Sequence, residues 1–124
     1  MIPFTSGHRY LMFTGITDFR KGYDGLYGMI KSVMQSNPLS GDVYIFLNRR
    51  HNQIRMMVYD RGGLVLLSKR LERGTFEILK TETLSNKISV DYTQLMCIME
   101  GIKLRSIRYR KRYQLSENNI AISL

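Results

Sequence analysis

Apolar residues along this chain change their spacing from segment to segment, and each spacing predicts an element. Tyr10-Leu11-Met12-Phe13 is a short apolar strip closed by Thr14-Gly15 and predicts a strand. Next, Tyr23, Leu26, Tyr27, Ile30, Val33 and Met34 follow the i, i+3, i+4, i+7 spacing of one helix face. This predicts a helix near 20–36, with Asp18 as a plausible N-cap and Ser36-Asn37-Pro38 as its end. Gly22, Gly25 and Gly28 lower the intrinsic propensity of its first turns, so packing must hold them.

Three strand-like runs follow. Val43 to Leu47 is continuously apolar. Ile54 to Tyr59 alternates, with Ile54, Met56 and Val58 on one face and Arg55, Met57 and Tyr59 on the other. Leu64 to Leu67 is apolar again. The connections Asn48-Arg49-Arg50-His51-Asn52 and Asp60-Arg61-Gly62-Gly63 have turn composition, which predicts an antiparallel meander. A second helix is expected over 91–101, capped by Asp91 and ended near Gly101. Ile120 to Leu124 alternates weakly and suggests a last edge strand. The expected fold is therefore α+β: an antiparallel meander from residues 43–79 plus the N-terminal strand, packed by two main helices. A chain of 124 residues fits a single domain spanning 1–124.

Charge adds a direction. Nineteen Lys and Arg against ten Asp and Glu give a formal charge of +9, a balance that favours a polyanionic partner. Its densest stretch is Lys103 to Arg112, with Lys103, Arg105, Arg108, Arg110, Lys111 and Arg112. As a strand this segment groups Arg108, Arg110 and Arg112, and as a helix Arg105, Arg108 and Arg112. Either way a line of guanidinium forks faces one direction and suits repeated phosphates, with Tyr109 and Tyr113 placed to stack or pack among them. A second basic candidate combines Arg49, Arg50 and Arg61 at the turns with Lys69, Arg70 and Arg73. The plain alternative for both is a solvated surface.

Catalytic chemistry finds little support. His8 and His51 lack Cys or acidic neighbours at metal-ligand spacing, and no nucleophile elbow or phosphate-cradling glycine motif is present. Asp18 and Asp24 are better explained by capping and by pairing with Arg20 or Lys21 than as converging metal ligands. No cofactor is implied. Cys97, the single cysteine, lies in an apolar run and is expected to be a buried thiol. The start Met-Ile-Pro-Phe does not resemble a signal peptide and no apolar stretch is long enough for a membrane span, so a cytoplasmic location is expected.

Four blocks carry a resemblance. Thr17-Asp18-Phe19-Arg20-Lys21-Gly22-Tyr23-Asp24-Gly25-Leu26 is the first, and Pro38-Leu39-Ser40-Gly41 with the following apolar run and Arg49-Arg50 is the second. Lys69-Arg70-Leu71-Glu72-Arg73-Gly74-Thr75-Phe76 is the third, and Glu100-Gly101-Ile102 the fourth. In this order they resemble the small TnpB-type accessory proteins encoded by bacterial transposons of the insertion sequence 66 family. One departure is Met56-Met57-Val58-Tyr59, where that family often carries an aromatic stretch with Trp. The resemblance implies a non-enzymatic factor in DNA transposition, working beside a separate, larger transposase that holds the acidic catalytic residues. Its expected partners are DNA, whether transposon ends or any sequence, and that transposase, in a bacterial, nucleoid-associated setting without membrane contact. A rival reading makes the protein a pure interaction adaptor whose positive charge meets an acidic surface of the transposase.

Overall fold

A computed structural model describes residues 4–77 and 85–101. Five strands and two helices alternate in the order β1 (Tyr10–Ile16), α1 (Tyr23–Ser32), β2 (Val43–Leu47), β3 (Gln53–Asp60), β4 (Gly63–Arg70), β5 (Lys87–Val90) and α2 (Tyr92–Met99). The strands form one sheet in the order β4-β3-β2-β1-β5. The α+β expectation holds, with one refinement of pairing. The meander β2-β3-β4 is antiparallel, but β1 runs parallel to β2, Tyr10 facing Val43 and Met12 facing Ile45. A parallel pair needs a crossover between its strands, and α1 provides it. β5, which the sequence reading did not anticipate, lies antiparallel to β1 at the sheet edge.

Alternation along the central strands divides the core into two layers. Tyr10, Met12, Val43, Ile45, Leu47, Ile54, Met56 and Val58 form one cluster with Leu95 and Ile98 of α2. Leu11, Tyr44, Phe46 and Met57 form the other with Leu26, Ile30 and Met34, on and just beyond α1. β2, the middle strand, is buried at every position, which explains its unbroken apolar run. The two helices thus cover opposite faces of the sheet.

Local signals account for most element ends. Arg61 and Gly62 both take positive φ, 49° and 89°, and close β3 onto β4 in a two-residue turn. α2 starts with a complete capping box: Gln94 N donates to Asp91 Oδ1 at 2.7 Å, and Asp91 N donates to Gln94 Oε1 at 3.0 Å. α1 differs from its expected start. Its N-cap is Gly22, with no side-chain cap, and Asp18 lies four residues further back in the preceding loop. α1 also ends at Ser32, before Ser36-Asn37-Pro38. Cys97 is half-buried rather than buried, since Leu95 and Ile98 are the α2 side chains turned fully onto the sheet. No described helix is long and apolar enough to cross a membrane.

Candidate nucleic-acid interface

Because β1 and β2 run the same way, the segments leaving their carboxyl ends face each other. Between them lies a cleft of about 640 Å³ lined by Ile16, Thr17, Asp18, Phe19, Arg20, Asn48, Arg49 and Arg50. The first sequence block and the Arg-Arg turn of the second, far apart in the chain, meet here.

The β1–α1 loop is fastened from below. Thr17 N donates to Leu47 O at 2.9 Å, tying the start of the loop to the end of β2. Arg55, on β3, donates from Nη1 to the carbonyls of Phe19 at 2.9 Å and Lys21 at 3.0 Å. Its guanidinium also stacks on the Phe19 ring. Within the loop, Asp18 Oδ1 accepts from Arg20 N at 3.0 Å, and Asp18 O accepts from Lys21 N at 3.1 Å. Asp18 therefore organises a turn and is not the helix cap. Gly25 leaves room for the stem of Lys21, since a Cβ there would lie 2.8 Å from Lys21 Cβ. Asp24 sits in the first turn of α1 and Leu26 is buried beneath it.

The opposite wall is as firmly built. Asn48 Oδ1 accepts from the backbone N–H of Asn52 and Gln53, at 3.1 and 3.0 Å, and Asn48 Nδ2 donates to Asn52 Oδ1 at 2.8 Å. His51 takes the left-handed conformation at φ 57°. The third sequence block braces the same turn: Leu71 N donates to Asn52 O and Phe76 N to His51 O, with Phe76 sunk into the core. Gly74, at φ 79°, lets the chain reverse between those two anchors.

Charge in the cleft is unevenly compensated. Arg20 donates to both carboxylate oxygens of Asp18, the shortest contact being 2.7 Å. Those hydrogen bonds hold the Asp18 carboxyl down at about 2, so it stays ionised at neutral pH and cancels Arg20. Arg49 and Arg50 are exposed and have no ion pair among the described residues. Two guanidinium forks on a rigid turn are suited to bind oxyanions.

The other basic candidates are placed differently. Lys69 donates to the carbonyl of Met99 at 2.7 Å, and so neutralises the C-terminal end of α2. Arg70 pairs with Glu72 at 3.5 Å on the surface. Arg61 and Arg73 are exposed, with no ion pair among the described residues. Arg105, Arg108, Arg110, Lys111 and Arg112 lie outside the described residues. Among the described residues no three His, Cys, Asp or Glu side chains gather to hold a metal ion.

Sequence reasoning missed two residues of this site. Arg55 was assigned a sheet face, but its reach to the loop carbonyls depends on α1 and β3 sharing that face. Thr17 is only 2% exposed, and its hydroxyl has no hydrogen-bond partner among the described residues.

Residues 8–109 match the family model described as IS66 Orf2 like protein. The chain belongs to the IS66 Orf2-like family. The matched span contains the whole sheet, both walls of the cleft and the start of the basic segment, including Arg105 and Arg108. Two proteins of Sinorhizobium fredii are similar to it. Uncharacterized protein y4jC is 34% identical over 76 residues, covering 61% of this chain and 65% of that protein. Uncharacterized protein y4hO is 31% identical over 105 residues, covering 85% of this chain and 90% of its own. No solved structure matches. As an IS66 Orf2-like protein, the chain is an accessory protein of IS66 transposition and is associated with that element's transposition machinery. The family is not known as a catalytic one.

Proposed function

We propose that this IS66 Orf2-like protein assists transposition by contacting DNA through phosphates, with Arg49 and Arg50 as the anchoring pair. The supporting observation is that these two arginines stand exposed, with no ion pair among the described residues, on a turn that another family block holds in place. A rigid turn favours binding because little side-chain and loop freedom remains to be lost at contact. Its formal charge of +9 supplies the long-range attraction. In this reading residues 1–124 act as one domain whose basic segment, Lys103 to Arg112, extends the phosphate-binding surface, with Lys69, Arg70 and Arg73 as further cations. The separate transposase is the second partner.

Fluorescence anisotropy with random duplex DNA across a salt series tests this. Each phosphate contact should contribute roughly 0.9 to the slope of log affinity against log salt. Changing Arg49 and Arg50 together to Gln should lower the slope by about two contacts. Absence of binding at low salt, together with capture of the transposase by the same protein, would replace the DNA reading with the adaptor one.

A further inference from the structure

The cleft beside Arg49 and Arg50 has a size and lining that surface phosphate contacts do not require. At about 640 Å³ it falls within the range of small-ligand sites. A cleft of this volume is too small to admit a base-paired duplex. One nucleotide of an unpaired strand can enter it. The lining mixes apolar and cationic side chains with Asn48 and the Asp18–Arg20 ion pair. Ile16, 49% exposed although large and apolar, and Phe19 form an apolar side, while Arg49 and Arg50 form a cationic one. Thr17 also lines the cleft, but its hydroxyl is buried out of reach of anything in it.

We propose that this cleft holds one nucleotide of an unpaired DNA strand. Arg49 and Arg50 take its phosphate, and Ile16 and Phe19 flank the sugar and base. The proposal rests on the DNA-contact reading and adds a preference for unpaired strand over closed duplex. Such a preference suits a protein that meets DNA at frayed or cut ends.

Two DNAs of equal length separate the two ideas in anisotropy at one fixed salt concentration: a dumbbell duplex closed at both ends, and a duplex with an unpaired thymidine overhang. The overhang should bind about fivefold more tightly, the lower end of what one stacked base supplies. Ile16→Ser should remove most of that preference and, because Ile16 is 49% exposed, not lower the melting temperature. In parallel, thymidine 5′-monophosphate should shift the amide resonances of Thr17, Asn48, Arg49 and Arg50, and unphosphorylated thymidine should not. Equal affinity for both DNAs, or a preference that survives in Ile16→Ser, overturns the cleft proposal while phosphate contact stands. Equal shifts from thymidine and its monophosphate overturn the phosphate assignment. Failure to bind either DNA removes both readings.

Discussion

The guanidinium carbon of Arg55 lies 4.5 Å from the centre of the Phe19 ring, and the same side chain donates to the carbonyls of Phe19 and Lys21. One residue on β3 thereby holds two positions, Phe19 and Lys21, of the loop that forms a wall of the cleft. Replacing Arg55 with Met keeps much of the stem and removes the donors. Loss of these charge-assisted bonds should reduce stability by about 2 kcal/mol in urea denaturation. Lys at this position should restore little, because an ammonium cannot span two carbonyls and stack on a ring with the same planar geometry. Equal stability of all three proteins would show that the loop is held by its other bonds.

Asp18 and Arg20 give a second expectation, in pH. The Asp18 carboxyl is held down at about 2 by side-chain and then backbone hydrogen bonds from Arg20. An unfolded aspartate titrates near 3.9. The contribution of this turn is therefore complete above roughly pH 4 and is lost as pH falls toward 2. A carboxyl-detected NMR titration should place the Asp18 midpoint well below the other carboxylates. Arg20→Gln should move it back up, and an unmoved midpoint would show that Arg20 is not the cause.

A third test concerns α2, whose eight residues are too few to be stable without help. Asp91→Ala removes the cap on Gln94 N and leaves that donor without its side-chain acceptor. The expected cost is about 1 kcal/mol of unfolding free energy. Asp91→Asn should recover most of it, since an amide oxygen also accepts.

These elements also show what local sequence carries and what it does not. Asp91 could be read as a cap because a periodic apolar run begins directly after it. Asp18 has the same look, but its loop runs on to Gly22 before the helix starts, so the carboxylate turns to Arg20 instead. Arg61-Gly62 announces its turn through residues that tolerate positive φ or supply it. β5 was invisible because Lys87-Ile88-Ser89-Val90 is too short to establish a period. The parallel course of β1 beside β2 leaves no mark in either strand, since pairing direction is set by the crossover. The cleft follows from that direction. Its cations Arg49 and Arg50 were legible, while its location and the roles of Thr17 and Arg55 were not.

A fourth prediction separates the two basic regions. Arg49→Gln with Arg50→Gln, and Arg108, Arg110 and Arg112 together to Gln, should each flatten the salt dependence of duplex binding, by about two and up to about three contacts respectively. Circular dichroism should be unchanged in both, because Gln keeps much of the length and the polarity of Arg, and Arg49 and Arg50 have no ion pair among the described residues. If the turn variant keeps the parental slope and only the tail variant loses it, the cleft is not the anchoring surface.

The place of β1 between β2 and β5 has a consequence for the order in which the protein is assembled. β2, β3 and β4 are joined by short turns and can find one another early, through contacts that close only small loops. β1 leaves the ribosome first, yet must wait for α1 to cross before it docks on β2. Among the described strands β5 then has only β1 to pair with, through Tyr10 facing Val90, across almost the whole described chain. Pulse-labelled hydrogen exchange during refolding should therefore show protection in the meander first and in β5 last. The cleft, built where β1 meets β2, comes into being only at the later of these steps.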